Sequence, residues 1–147
     1  FARDFRIIML TFKTYIRVRY ADTDKMTFVY NGKYLEYFEV GRTELLRSVG
    51  LSYAEVEKNG FQLPLIEAGL KYKTPATYDD LLEVEATVTA LYSPKVHIEY
   101  TIRKEGTDTV VCEGFTTHIF MRAETKRAVK PPQIYIDALK PYFEPIV

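Results

Sequence analysis

The sequence predicts an α+β domain in which one long helix lies against an antiparallel β-sheet. The hydrophobic pattern has a period of two residues near the start, then of 3.6 residues, and then of two again over most of the chain. The connections between the later strands are as short as hairpin loops, which join antiparallel neighbours. A length of 147 residues suits one domain.

The first element is a strand over residues 11–20, because apolar and polar side chains alternate there as far as Tyr20. Residues 11–147 are interpreted as a single domain. Residues 1–10 are interpreted as an N-terminal tail or an extension of the first strand. They carry no apolar core of the length that a signal peptide needs.

A long helix is predicted between Asn31 and Val49. Asn31 is a good N-cap, and Gly50 stands where helices commonly end in the left-handed conformation. Ser52, with Glu55 three residues later, predicts the start of a short second helix. Apolar or small residues cover much of the long helix, which predicts a curved sheet wrapped around it: Leu35, Phe38, Val40, Gly41, Leu45 and Leu46.

Four further strands are predicted, over residues 61–73, 82–90, 95–102 and 109–122. The first of them should bend at Pro64, and Ser93-Pro94 separates the second from the third. A short helix over residues 134–143 ends the domain. Such a sheet leaves an exposed edge strand, which predicts edge-to-edge dimerisation.

Charge and composition disfavour several classes of function. Lys plus Arg and Asp plus Glu are 20 each, so the chain lacks the basic excess of a nucleic-acid binder. No apolar run approaches the ~18–20 residues of a transmembrane helix. One cysteine and two histidines argue against a disulfide framework and against a metal centre of several Cys or His ligands. We therefore expect a cytoplasmic protein with no cofactor, no metal and no membrane insertion.

The segment between Arg19 and Arg47 contains a many-residue pattern: Tyr20, Asp22, Asp24, Val29, Tyr30, Tyr34, Phe38, Glu39 and Arg42. This pattern resembles the signature of hotdog-fold acyl-CoA thioesterases of the 4-hydroxybenzoyl-CoA thioesterase type. That group includes the small bacterial acyl-CoA thioesterases associated with the Tol-Pal system. The resemblance extends from about Thr11 to Pro141. It implies the hotdog fold, in which a curved antiparallel β-sheet wraps around a long central helix.

The resemblance also implies roles for individual residues. Asp24 matches the catalytic carboxylate, which acts as nucleophile on the thioester carbonyl or as general base on a water. Asn31 and Gly32 match the helix start, where backbone N–H groups polarise that carbonyl. Physical chemistry supports this role, because a helix N-terminus carries unpaired N–H donors and a partial positive charge. Loss of one such donor typically costs ~100–1,000-fold in rate.

The sequence departs from the family pattern at two positions. Thr27 stands where many members have Gly, which affects the expected path of the loop. Asn31 stands where many Tol-Pal-associated members have His, so a side-chain role does not transfer directly. Some relatives use a carboxylate on the long helix instead, and Glu39 is the secondary candidate for that role.

Several residues also have structural interpretations. The Asp24 carboxylate fits an Asx turn as well, and Asp22 fits a side chain that braces the loop. Glu39 and Arg42 lie three residues apart on one helix face, as in a structural ion pair.

Four residues are candidates for substrate binding. Tyr30 and Tyr34 either line an acyl pocket or pack in the core. Ser93 and Lys95 match the region where similar proteins hold the CoA nucleotide, and they also fit a solvated strand end.

The predicted reaction is hydrolysis of an acyl-CoA thioester to a free acid and CoA. In similar proteins the pocket lies between two subunits, which predicts a homodimer or homotetramer. One alternative is a hotdog hydratase or dehydratase, against which the absence of His from the long helix argues. The other is a non-catalytic module that binds or senses acyl-CoA, since a fold does not fix a function.

Overall fold

A computed structural model describes residues 9–143 of the chain. In this range it contains seven strands, three α-helices and one 3₁₀ turn. In chain order these are β1 (Leu10–Arg17), the 3₁₀ turn (Tyr20–Asp22), α1 (Lys33–Ser48), α2 (Tyr53–Lys58), β2 (Phe61–Gln62), β3 (Leu65–Tyr72), β4 (Leu81–Val88), β5 (Lys95–Lys104), β6 (Val110–Arg122), β7 (Ala128–Val129) and α3 (Gln133–Phe143).

The sheet is antiparallel throughout, and its main strands lie in the order β1-β4-β5-β6-β3. The short strands β2 and β7 pair with the C-terminal part of β6. The prediction of an α+β domain with a long helix and an antiparallel sheet is confirmed. The predicted bend at Pro64 is also found, because β2 and β3 are separated there.

Helix α1 packs closely on the sheet because Gly41 faces it. A Cβ atom at Gly41 would lie 2.8 Å from Cγ1 of Val84. The Phe38 ring stacks on the Tyr100 ring with centroids 4.2 Å apart. Two of the apolar helix residues predicted to face the sheet stay outside this contact, since Leu35 and Val40 are 41% and 40% exposed. The sheet of one chain therefore covers only part of the apolar surface of α1.

The start of α1 differs from the prediction. The N-cap is Gly32, without a side-chain hydrogen bond, so the expectation of Asn31 as N-cap was wrong. The reason is a turn over Tyr30–Lys33, in which the Lys33 N–H donates to the Tyr30 carbonyl at 2.9 Å. Gly50 does end the helix as predicted, with φ at 81°.

The first strand ends earlier than predicted. β1 stops at Arg17, and Tyr20 begins the 3₁₀ turn with 79% of its surface exposed. The prediction that Tyr20 shares the buried face of the strand was therefore wrong. Val18 still faces the core, and its N–H donates to the Asp80 carbonyl at 2.9 Å.

The strand register places two loops at opposite ends of the sheet. β1 pairs with β4 from Leu10 opposite Val88 to Arg17 opposite Leu81. The loop after β1 therefore lies at one end, and the β4–β5 hairpin lies at the other. At about 3.3 Å per residue these eight-residue strands separate the two ends by roughly 25 Å. Within residues 9–143, no helix is both long enough and apolar enough to cross a membrane.

Candidate active site

The loop that carries Asp24 is a tight hairpin between Thr23 and Val29. The Asp24 N–H donates to the Phe28 carbonyl at 2.8 Å, and the Thr27 N–H donates to the Asp24 carbonyl at 3.0 Å. Thr27 has a φ of 68°, in the left-handed region that favours glycine. Thr27, which stands where many family members have glycine, therefore adopts a conformation that a glycine would adopt without strain.

The two oxygens of the Asp24 carboxylate have different surroundings. Oδ1 accepts from the N–H groups of Met26 at 2.8 Å and Phe28 at 3.3 Å. Within the described residues, no group of the protein bonds to Oδ2. The Asx-turn interpretation is thus correct for one oxygen, and the same turn leaves the other without a protein donor.

The start of α1 offers free backbone donors. Among residues 9–143, the N–H groups of Asn31 and Gly32 have no hydrogen-bond acceptor. The Tyr30 carbonyl points toward Lys33, and in a planar trans peptide the next N–H points the opposite way. The Asn31 N–H therefore points away from the helix. The Asn31 carbonyl accepts from the Tyr72 hydroxyl at 3.2 Å, so the Gly32 N–H points away from Tyr72.

Asp24 and Asn31 line one cleft of about 220 Å³. Its wall is largely aromatic and apolar, and it includes Met26, Phe28, Val29, Tyr34, Tyr72 and Pro75. Burial raises the pKa of Tyr34 to about 12, so its hydroxyl stays neutral. Lys73 adds a cation at the rim, where its Nζ lies 3.4 Å from the Glu113 carboxylate. The cleft combines the Asp24 carboxylate, the residue Asn31 with its unpaired N–H, and an apolar wall. Gly32 is not part of its lining.

Asp22 is a buried carboxylate, 2% exposed, beneath this loop. Its Oδ2 accepts from the Tyr37 hydroxyl at 2.9 Å and from the Arg19 N–H at 3.1 Å. Its Oδ1 accepts from Arg19 Nη2 at 3.1 Å and lies 3.8 Å from Lys33 Nζ. Burial alone would raise the pKa of Asp22, but the hydrogen bonds from Arg19 and Tyr37 outweigh burial and lower it.

The other predicted site residues lie elsewhere on the chain. Tyr30 is 58% exposed and its ring lies beside Gly32, outside the cleft lining. Glu39 is exposed on α1 and does not border the cleft. The expected ion pair of Glu39 with Arg42 is absent from the described part of the chain. Arg42 instead lies against Tyr53 and the buried face of β5 and β6.

Ser93 and Lys95 are far from Asp24 in one subunit. They belong to the β4–β5 hairpin, where the Lys95 N–H donates to Ser93 Oγ at 3.3 Å. This hairpin lies at the end of the sheet opposite the Asp24 loop. In a single chain, Ser93 and Lys95 therefore do not lie near the cleft.

Two contacts around the site, those of Tyr37 and Tyr72, were not predicted from the sequence. Tyr72 reaches the helix start across 41 residues, and Tyr37 reaches Asp22 across 15. Hydrophobic periodicity predicts which face a side chain occupies and says nothing about such distant partners. No local sequence signal could have identified these contacts.

Metal-binding side chains do not gather in the part of the chain that the structure describes. Within it, no group of three or more His, Cys, Asp or Glu residues is placed to hold a metal ion. Neither histidine lines the cleft. His118 is fully buried on β6, and His97 lies on the opposite face of the sheet beside Phe115.

Known proteins with similar sequences or structures match most of the chain. The sequence profile of the Thioesterase-like superfamily matches residues 18–139. The Bacillus subtilis protein YneP is 40% identical over 76 residues, which span 52% of this chain and 55% of YneP. The Escherichia coli O157:H7 acyl-CoA thioester hydrolase YbgC is 30% identical over 108 residues, 69% of this chain and 81% of that protein.

A solved structure agrees in fold. The crystal structure of a DHNA-CoA thioesterase from Staphylococcus aureus superposes with a TM-score of 0.76 at 30% identity, covering 90% of this chain and 83% of that one. The hotdog fold and the family resemblance predicted from the Arg19–Arg47 segment are confirmed. The chain therefore belongs to the Thioesterase-like superfamily.

Proposed function

We propose that this chain hydrolyses acyl-CoA thioesters to a free carboxylic acid and CoA. Asp24 supplies the reacting carboxylate, and the N–H groups at Asn31 and Gly32 stabilise the oxyanion. One observation carries the proposal. A carboxylate with one free oxygen borders the same cleft as Asn31, whose backbone N–H is unpaired at the start of α1.

The chemistry needs little more than these groups. The thioester carbonyl oxygen becomes negatively charged during attack, and the positive end of α1 stabilises that charge. The leaving group is a thiolate, whose conjugate acid has a pKa of about 8.5 in an ordinary thiol, so it departs without a strong general acid. Water supplies the oxygen and the proton that convert the acyl group and CoA thiolate to acid and thiol.

Asp24→Asn tests this function. We expect thiol release from acyl-CoA at saturating substrate to fall at least about a hundredfold, because the amide neither attacks the carbonyl nor accepts a proton. Asp108→Asn, at an exposed turn, is the matched control and should leave the rate unchanged. Full activity of Asp24→Asn would contradict the mechanism.

Isotope labelling separates the two possible roles of Asp24. If the carboxylate is the nucleophile, an anhydride of Asp24 with the acyl group forms, and attack of ¹⁸O-water on its aspartyl carbonyl in a single turnover leaves the label in Asp24, which mass spectrometry of the peptide detects. Label in Asp24 would therefore establish the nucleophile. If it is a general base, the label appears only in the acid product. We leave both routes open, because the free Oδ2 suits either one.

We further propose that the working enzyme is a homodimer or a larger homo-oligomer. A cleft of about 220 Å³ is smaller than the ~300–1,000 Å³ of typical ligand pockets, so one chain offers an incomplete site. The edge strand β3 exposes Leu65 and Ile66, at 44% and 47%. Antiparallel pairing of two β3 edges would bring the cleft of one copy near Leu65 and Lys95 of the other, because both residues lie at the far end of the sheet.

The acyl group is best sought with a panel of thioesters. The aromatic wall formed by Phe28, Tyr34 and Tyr72 favours a flat or apolar acyl group. The Staphylococcus aureus relative is named for a DHNA-CoA substrate, so hydroxyaromatic thioesters belong beside short, medium and long aliphatic ones. A non-catalytic sensor would bind one of them without releasing thiol.

Two further expectations accompany the proposed reaction. The enzyme should need no cofactor or metal, so activity should survive dialysis against EDTA, and a loss restored by a divalent ion would contradict this. The proposed location is the cytoplasm, which fractionation of cells that produce the tagged chain would test. The hydratase alternative has little support, because neither histidine lines the cleft beside Asp24.

A further inference from the structure

The two halves of the proposed site belong to different elements. Asp24 lies on the hairpin after β1, and the free N–H groups of Asn31 and Gly32 lie at the start of α1. Catalysis requires a fixed distance between them, since misplacement by about 1 Å can cost on the order of a hundredfold. Some contact must therefore hold the hairpin against the helix.

Asp22 makes that contact from two sides. Its backbone carbonyl accepts from the Tyr30 N–H at 2.8 Å, immediately before Asn31. Its carboxylate accepts from the Tyr37 hydroxyl, which projects from the second turn of α1, and lies near Lys33 in the first turn. Two residues further along the chain is Asp24. Asp22 thus links the hairpin to the residue just before the donors and to the first two turns of α1 just after them.

The bonding of Asp22 defines its orientation. Both carboxylate oxygens are occupied, by Tyr37 and the Arg19 N–H on Oδ2 and by the Arg19 guanidinium on Oδ1. A carboxylate offers about four acceptor positions, so the ionised form accepts all three bonds at once. An apolar side chain of similar size could fill the space without fixing the direction of the hairpin.

We infer that Asp22 is a positioning residue for thioester hydrolysis, acting through Tyr37 to set the distance between the Asp24 carboxylate and the donors at the start of α1. The inference rests on the proposed function. It goes beyond loop bracing, because it assigns Asp22 an effect on the rate of the chemical step. Asp22 does not touch the substrate in this role.

Tyr37→Phe is the first test, because it removes only the hydroxyl that reaches Asp22. We expect kcat to fall about tenfold while KM stays within about twofold, since the substrate still binds but the two halves of the site are less well aligned. Tyr100→Phe is the matched control. It removes another buried tyrosine hydroxyl, bonded to Thr116 at 2.7 Å, without touching the hairpin.

Stability separates positioning from a merely structural role. Both phenylalanine variants should lose a similar free energy of unfolding in urea, while only Tyr37→Phe should lose kcat under conditions where both are folded. Equal kcat values for the two variants would overturn the inference. So would an unchanged kcat for Tyr37→Phe.

A double-mutant cycle identifies Asp22 as the partner. Asp22→Leu is similar in size but removes both acceptor oxygens, and Tyr37→Phe should then cost less than about twofold in that background. Independent losses in the two variants would show that Tyr37 acts without Asp22 and would overturn the inference. The proposed function fails by a different result, namely full thiol release by Asp24→Asn.

Discussion

At the scale of single residues, Thr27 shows how the Asp24 loop keeps its shape without the expected glycine. A β-branched residue at a φ of 68° is strained, by ~1–2 kcal/mol on general grounds. The turn persists because the Thr27 N–H and the two N–H groups on Asp24 Oδ1 hold it from both sides. The strain lies beside the residue that carries the proposed chemistry.

Thr27→Gly should therefore stabilise the protein. Relief of the left-handed strain exceeds the greater flexibility of glycine in the unfolded chain, so we expect a gain of about 0.5–1 kcal/mol in the free energy of unfolding. Urea unfolding measures it. Thr125→Gly, in an exposed turn without a positive φ, is the control and should be neutral or destabilising. A loss of stability in Thr27→Gly comparable with the control would contradict this account.

At the scale of elements, the contact between α1 and β6 contains an unusual polar group. His118 is fully buried, and its Nε2 lies 2.9 Å from Thr116 Oγ1. Thr116 in turn bonds to the Tyr100 hydroxyl, and the positive charge of Arg42 lies nearby. Burial, with the Arg42 charge as a second cause, lowers the pKa of His118 to about 4. The buried histidine is thus neutral near pH 7.

The lowered pKa of His118 predicts that the protein loses stability in mild acid. Below about pH 6.5 the unfolded chain binds a proton on His118 that the folded chain does not bind until about pH 4. The free energy of unfolding should therefore fall between pH 6.5 and 4, by up to about 3 kcal/mol. His118→Leu should flatten this part of the curve. A fall as steep in His118→Leu as in the unaltered protein would refute the assignment.

The pairing of β3 with β6 depends on a close approach at Gly114. A Cβ atom there would overlap the Gly69 carbonyl oxygen and lie 3.0 Å from Cε2 of Phe38. The strand β3 can approach only because neither Gly69 nor Gly114 carries a side chain between the two strands.

Gly114→Ala should destabilise the fold by about 2–4 kcal/mol, because β3 or α1 must move away. Gly106→Ala is the control: it meets no atom within 4 Å, and its φ of 73° alone should cost about 1 kcal/mol. Urea unfolding compares the two variants. Similar losses in both would show that the backbone conformation, and not the close approach, is what matters at Gly114.

At the scale of the whole molecule, the antiparallel topology separates residues that the family resemblance associates with one site. Ser93 and Lys95 lie at one end of the sheet, and Asp24 lies at the other. The proposed pairing of β3 edges joins these ends across two copies. Each of the two sites then takes its carboxylate from one copy and its Lys95 from the other.

Mixing two variants tests this arrangement. In a mixed dimer of Asp24→Asn and Lys95→Ala, one site has both changes and the other has neither. After unfolding and refolding together, the mixture should recover about a quarter of the wild-type sites, which a thiol assay at low acyl-CoA concentration would detect. Activity no higher than the average of the separate variants would contradict a site shared in this way. A monomer by sedimentation at micromolar concentration would contradict the dimer itself.

The sequence by itself determined the class of fold, most element boundaries and the family resemblance. These follow from local information: alternation predicts strands, a glycine after a 3.6-residue period predicts where α1 ends, and the spacing from Tyr20 to Arg42 carries the family resemblance. The role of Asp24 as catalyst remains a prediction.

Only the tertiary structure decided how the site is held together. It showed that Gly32, not Asn31, caps α1, that Glu39 faces solvent, and that Ser93 and Lys95 lie far from Asp24 in one chain. It also brought Tyr37 to Asp22 and Tyr72 to Asn31. The physical reason is that hydrogen bonds and strand registers between distant segments depend on packing, which a local pattern of residues does not contain.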